Sequence, residues 1–303
     1  MSAAAVVAVL GAGGAAKAAT SYATGFEASE GYQAGSLLTA SGNWTQFNAN
    51  SGTATIVSSN SFTTAQNTTV HPIFSGSQAV MVQSVAGTGV QYNDFLANNS
   101  NVTSASGVYQ INFKLNRSAP NSINSNETTN SPDGVATTYR AGFGIDVFGN
   151  DNANPNDPSG NAFLAALYVR NTVQGNNPSV PALYVSNGAS SNSRVSQGPG
   201  EIVPLPAGVG AGDNGYGGYH MVLNFNTGTF YVFNDSGQVS GTYAMSNALA
   251  GYTGIGGVAI GDDGTGNNTA FFDNFSVVPE PASIAMIGVG SLLLGMRRRK
   301  QTV

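Results

Sequence analysis

The run GYHMVLNFNTGTFYVFNDSGQVSGTY, from Gly218 to Tyr243, constrains this chain more than any other stretch. Tyr219, Met221, Leu223 and Phe225 fall on one side of an extended backbone, and His220 falls on the other. This period of two fits a half-buried strand and no helix. Asn226-Thr227-Gly228 and Asp235-Ser236-Gly237 supply tight turns, so the run predicts a three-stranded antiparallel meander. The same alternation recurs upstream. Tyr109, Ile111, Phe113 and Leu115 oppose Gln110, Asn112 and Lys114; Phe143, Ile145 and Val147 oppose Gly144, Asp146 and Phe148. IGGVAIGD (Ile255–Asp262) and AFFDNFSVV (Ala270–Val278) predict two late strands. Helical spacing is confined to two short candidates, NAFLAALYV near Phe163 and YAMSNALAG near Leu249. No repeat of 20–50 residues is visible, which disfavours a solenoid or propeller. The expectation is an all-β body, a two-sheet antiparallel jelly-roll β-sandwich over residues 20–278. Within it, NRSAPNSINSNETTNSPDGVATT (Asn116–Thr138) reads as a long, mobile surface loop.

Charge narrows the partners. Charged residues make up 8% of the chain, against roughly 25% in ordinary soluble domains. Between Ser21 and Val278 stand five basic residues and fourteen acids, a net of −9. A body this acidic offers no electrostatic footprint for nucleic acid and suits neutral glycans or divalent cations. With 0 cysteines, disulfides and thiolate metal sites are excluded.

The two ends read as addresses. Residues 1–19 form an N-terminal signal segment: Ala3–Leu10 is apolar, and Ala16-Lys17-Ala18 fits a small-x-small cleavage site, although a basic leader is missing. At the other end, Pro279-Glu280-Pro281 breaks regular structure. Ala282 to Met296 follows as a single apolar helix, closed by Arg297, Arg298, Arg299 and Lys300. Its length of roughly 22 Å falls short of a hydrocarbon core of about 30 Å. It therefore suits a transient hold on the membrane, through 282–296, better than a permanent anchor.

This order of parts at residues 279–303 resembles the PEP-CTERM sorting signal of Gram-negative bacteria. The resemblance implies export, recognition by an exosortase-type processing enzyme through Pro279, Glu280, Pro281 and Arg297–Arg299, and a place at the cell surface or in the extracellular matrix. A second resemblance covers the body. TGFEASEGYQAGSLLTASGNWTQF at the start, the meander, and GGVAIGDDGTGNNTAFFDNFSV at the close are together similar to concanavalin A-like (laminin G-like) jelly rolls. Galactose-binding-like jelly rolls begin and end in a similar way, and that alternative stays open.

Chemistry-bearing residues are few. The first and last strands of a jelly roll often pair, which brings Glu27 and Asp273 together; hard oxygen ligands suit Ca²⁺. By resemblance, a structural calcium sits at such a place. Amide-satisfied carboxylates at a sheet edge are the competing reading. GNDNANPNDPSGN (Gly149–Asn161) and Asp262-Asp263 read as solvated turns, since no EF-hand spacing is present. None of the 5 Glu forms the E-x-D-x-x-E array of jelly-roll hydrolases: Glu27, Glu30, Glu127, Glu201 and Glu280. The only histidines, His71 and His220, are too isolated for a zinc site or a triad. Tyr139 and Arg140 leave a lyase as an alternative. Trp44 reads as core; Tyr216, Tyr219, Tyr231, Tyr243 and Tyr252 divide between core and a sugar platform in a way the sequence does not settle. The expectation is a non-enzymatic exported protein that binds or organises extracellular polysaccharide. Its rivals are a glycoside hydrolase or lyase on the same fold, and a self-associating matrix component.

Overall fold

A computed structural model describes residues 21–46, 52–63, 69–83, 93–97, 102, 104, 106–117, 127–130, 136–139, 143–149, 163–173, 180–186, 201–204, 216–237, 239–245, 252–262 and 269–280. In chain order, the strands of the first part are β1 (Tyr22–Thr24), β2 (Trp44–Gln46), β3 (Thr53–Val57), β4 (Phe62–Thr63), β5 (Thr69–Val70), β6 (Ala79–Gln83), β7 (Asn93–Ala97) and β8 (Val108–Arg117). There follow β9 (Glu127–Asn130), β10 (Ala136–Tyr139), β11 (Phe143–Gly149), β12 (Phe163–Val173), β13 (Val180–Ser186) and β14 (Glu201–Pro204). The last are β15 (Gly217–Asn224), β16 (Thr229–Asn234), β17 (Tyr243–Ala244), β18 (Ile255–Asp262) and β19 (Thr269–Pro279). Two short 3₁₀ turns, Ala28–Glu30 and Leu38–Ser41, are the helical elements among the described residues.

The strands form a two-sheet antiparallel jelly-roll sandwich. One sheet runs β17-β16-β15-β8-β19-β6-β3, with β1 added on β19; the other runs β14-β13-β12-β11-β18-β7-β2, with the β9–β10 hairpin added on β12. The alternating residues explain the packing. Tyr109, Ile111, Phe113 and Leu115 of β8, with Tyr219, Met221 and Leu223 of β15, are buried in a common core with Phe143, Ile145, Val147, Val258 and Ile260 of the opposite sheet. Each large side chain buried this way contributes about 1.5–3 kcal/mol of transfer free energy.

The first and last strands pair as expected, with Tyr22, Ala23 and Thr24 opposite Val277, Ser276 and Phe275. In β19 the register shifts between Asp273 and Ser276, and Asn274 takes a left-handed φ of 47°. The extra residue resets the parity of the strand. Phe272 and Phe275 therefore both enter the core, while Asp273 lies on the other side, opposite Lys114.

Two sequence expectations are corrected. Of NAFLAALYV, Phe163–Val169 lies in strand β12, not a helix: it pairs with β11 and β13 and is buried on both faces. A strand covered on both sides reads as a continuous apolar run, which mimics a buried helix. The Asn116–Thr138 segment is not all loop. Asn116 and Arg117 end β8, and β9 pairs with β10 from Glu127↔Tyr139 to Asn130↔Ala136. Threonines at 128, 129, 137 and 138 favour extended backbone without apolar alternation. Of the second helix candidate, Tyr243–Ala244 is strand β17, and residues 246–251 lie outside the described residues. Among the described residues no helix is long and apolar enough to cross a membrane; residues 1–19, expected as a signal segment, and 282–296 lie outside them.

Candidate functional site

The outward positions of β8, β15 and β16 carry polar and aromatic groups that meet in one network. Asn112 on β8 stands opposite His220 on β15, which stands opposite Phe233 on β16. The His220 ring stacks on Phe233 at 4.5 Å between centroids, and Tyr231 lies 6.2 Å from Phe233. His220 Nδ1 lies 2.6 Å from Asn112 Oδ1, and Nε2 lies 2.8 Å from Asp235 Oδ1. Each imidazole nitrogen thus faces an oxygen, and a ring protonated on both nitrogens donates to both. Asp235 accepts from Lys114 through its other oxygen. Asn112 in turn donates to Ser276 Oγ at 3.1 Å, which ties the network to β19. Burial opposes ionisation of Asp235, but the hydrogen bonds from Lys114 and His220 outweigh it and hold its pKa below the ordinary 3.8. With its side chain 49% exposed, the Lys114–Asp235 pair orders these groups more than it stabilises the fold.

A second cluster adjoins the first. Asp273 Oδ2 accepts the N–H groups of Phe74 at 2.9 Å and Ser75 at 3.0 Å. Glu27 accepts the N–H of Ser77 at 2.9 Å, its hydroxyl at 2.6 Å, and the N–H of Gln78 at 3.3 Å. Gly76, between these pairs, has φ +72°, and a Cβ there would run into the Glu27 carboxylate. Carboxylates from the two ends of the chain therefore staple one loop. That loop presents Phe74 beside the network: Lys114 Nζ sits 4.8 Å from the centre of its ring, and Tyr216 meets it edge-on at 5.4 Å.

The structure thus brings Glu27 and Asp273 to the same loop, but with donors between them. Calcium needs six to eight oxygens, many of them carbonyls. Here main-chain N–H groups of residues 74, 75, 77 and 78 point at the carboxylates, and Asp273 Oδ1 accepts a further N–H from Asn274 at 2.7 Å. Among the described residues no group of three or more His, Asp or Glu forms. This donor set does not fit a calcium ion; it fits an amide-capped pair of acids.

The remaining candidates fall apart spatially. Trp44 is 2% exposed and donates to the Tyr32 hydroxyl at 2.9 Å, so it belongs to the core. Tyr219 is buried, and Tyr243 and Tyr252 lean on the core; Tyr216 and Tyr231 remain for the outer face. His71 Nδ1 lies 2.9 Å from Asn60 O, a contact separate from the His220 network. Residues 150–161, Arg140, Asp263 and the sorting residues Pro281 and Arg297–Arg299 lie outside the described residues, as do the side chains of Tyr139 and Asp262. Sequence reasoning missed Phe74, which sits in an irregular loop, and Asp235, which reads as a plain turn residue. The outward set Asn112, Lys114 and His220 was legible as the polar half of the alternation.

Comparison with known proteins adds the tail. Residues 277–300 match the family model of the PEP-CTERM protein-sorting motif. The chain is therefore a protein carrying a PEP-CTERM sorting motif, exported and sorted to the cell surface by an exosortase. The motif begins on the sandwich itself. Val277 and Pro279 pair with Ile111 and Tyr109, and Glu280 N–H donates to Val108 O at 2.9 Å. No curated protein matches the chain. Among solved structures, the alginate lyase Aly36B in complex with an alginate tetrasaccharide is similar at 10% identity, with a TM-score of 0.44, over 86% of this chain and 97% of the lyase. The winged bean acidic lectin complexed with methyl-α-D-galactose is similar at 12% identity, with a TM-score of 0.40, over 86% and 97%. The globular domain of T. cruzi calreticulin is similar at 8% identity, with a TM-score of 0.41, over 83% and 89%.

Proposed function

We propose that the body is a non-enzymatic binder or organiser of extracellular polysaccharide, working through the outer face of β8, β15 and β16. The proposal extends to its setting: the surface or matrix of a Gram-negative bacterium, reached after a transient hold in the inner membrane through 282–296. The observation that carries this reading is the network around His220. Planar hydrogen-bonding groups (Asn112, His220, Asp235) lie beside aromatic rings (Phe233, Tyr231), the pairing that hydroxyl-rich sugar rings call for. The net charge of −9 over residues 21–278 favours an uncharged polymer over a polyanion.

The same cluster supports a second reading, a lyase. A histidine, a lysine and a tyrosine on one sheet face are groups that proton abstraction uses. Against it, both His220 nitrogens and the Lys114 ammonium are already engaged by Asn112 and Asp235. One experiment separates the readings. Exopolysaccharide purified from the producing cell's culture is cast into a native gel, and protein mobility is measured; the same polymer is assayed for new reducing and unsaturated ends after incubation. Retardation without new chain ends supports the binder. New chain ends that disappear in His220→Ala support the lyase. Free migration with no new ends removes both.

A further inference from the structure

We propose that Phe74 is a sugar-stacking platform of this sheet-face site, and that the Glu27/Asp273 staple exists to aim it. This rests on the polysaccharide reading and deepens it by naming the contact: the C–H face of a neutral pyranose against the Phe74 ring.

Phe74 is an unusual phenylalanine. Its residue surface is 46% exposed, although the sandwich has an extensive apolar core to receive it. The exposure is not slack in the chain. Four of the five N–H groups from Phe74 to Gln78 are accepted by two carboxylates, and Ser75 Oγ is 2.9 Å from Asn274 Oδ1. Asp273 follows core-facing Phe272 and so points to the outer face, opposite Lys114, where it reaches the loop, and the left-handed Gly76 is what lets Glu27 close it from the other side. The loop therefore holds a half-exposed aromatic ring at a fixed position beside the network.

The ring's neighbours join it to the network. Lys114 reaches the ring and also binds Asp235, the partner of His220. Tyr216 supports the ring edge-on and anchors its own hydroxyl on Pro72 O. A polymer lying across His220 and Phe233 would meet Phe74 at one end of the same face. In these terms Phe74 touches the ligand, and Glu27 and Asp273 are positioning residues.

The test measures affinity for the purified exopolysaccharide in the same native gels, with Trp44 emission as the check on folding. Phe74→Ala should bind about tenfold more weakly, the loss typical of a truncated aromatic anchor. Phe74→Tyr, which keeps an aromatic ring and leaves Trp44 the single emitter, should bind as wild type. Asp273→Asn should weaken binding a few-fold in wild type and add nothing in Phe74→Ala, because a positioning residue acts only through the ring it positions. If Phe74→Ala binds as wild type while His220→Ala is impaired, the Phe74 proposal is overturned and the polysaccharide reading stands. If the Asp273→Asn and Phe74→Ala losses add, the staple does not act through Phe74. If wild type is not retarded at all, both readings fall.

Discussion

The indole N–H of Trp44 donates to the Tyr32 hydroxyl at 2.9 Å, with both residues nearly sealed from solvent. Around them, Phe26 lies 5.8 Å from Trp44, Phe275 meets it at 5.6 Å and Tyr22 at 6.5 Å. This knot fastens the N-terminal segment and β2 to the last strand. Trp44 is the 1 Trp in the chain, so its emission reports on the knot directly. We expect a blue-shifted emission, poorly quenched by acrylamide. Tyr32→Phe leaves the buried N–H without its acceptor and should cost about 1–3 kcal/mol in urea unfolding. A red-shifted, readily quenched emission in the native protein would contradict this packing.

The two acids of the staple should respond to pH in opposite senses. Burial opposes ionisation of Glu27, but the Ser77 hydroxyl and the N–H groups of Ser77 and Gln78 prevail, and its pKa lies below the ordinary 4.5. Burial dominates at Asp273 and lifts its pKa above 3.8, despite N–H donors from Ser75, Asn274 and Phe74, and Glu27 adds a like charge. Tyr216 also faces Asp273, and Lys114 lies opposite it in the ladder. A lowered folded pKa gives stability that is full above the unfolded value and lost as pH falls through the folded one. A raised folded pKa gives the reverse: stability present below the unfolded value and lost as pH rises through the folded one. Glu27→Gln should therefore flatten the acid limb of a Tm-against-pH curve. Asp273→Asn should gain on wild type as pH rises above 3.8. Parallel curves for all three proteins would refute the assignment.

How much of this was legible beforehand depends on where a residue sits. Strand positions such as Ile111, Met221 and Leu223 announced themselves, because one buried face imposes a period of two. The Tyr22–Val277 pairing was foreseeable from topology alone. The β12 strand was not, since Leu164, Ala165, Ala166 and Leu167 are buried on both sides and carry no alternation. Glu27 and Asp273 were correctly brought to one place, but the sequence left calcium and backbone amides both open as their partners. Whether a loop turns its carbonyls or its N–H groups toward a carboxylate is a property of backbone dihedrals, here those of Gly76 and Asn274. Phe74 was invisible for the same reason: its significance is the loop's geometry, not its own type.

Metal removal checks the donor argument at that loop. Dialysis against EDTA should leave the Tm unchanged, because the staple's oxygens already accept N–H and O–H groups. A Tm that climbs with added Ca²⁺, as ligand binding to the folded state alone requires, would restore calcium between Glu27 and Asp273.

The network around His220 should separate stability from binding. Asp235 stands 49% exposed and pairs with Lys114 at the surface, where such pairs contribute about 0–1 kcal/mol. Asp235→Asn should therefore barely move the urea midpoint. It should, however, release both His220 Nε2 and Lys114 and weaken retardation by the exopolysaccharide several-fold. A large loss of stability with binding intact would make the network a structural device and remove it from the site.

The sorting motif makes the last prediction. Its first residues are already part of the sandwich: Pro279 lies opposite Tyr109, and Ser106 Oγ donates to Glu280 O at 3.2 Å. Processing near Pro279-Glu280-Pro281 would then leave a mature body whose final strand is complete. We expect the intact mass of protein recovered from the cell surface to match a chain that has lost the segment after this element, together with any group attached there. Replacing Arg297–Arg299 by alanine should leave precursor unprocessed if, as the positive-inside rule would have it, the basic cluster orients the apolar segment for the processing enzyme. A surface protein whose mass still includes Val303, confined to the membrane fraction, would make the tail a permanent anchor instead.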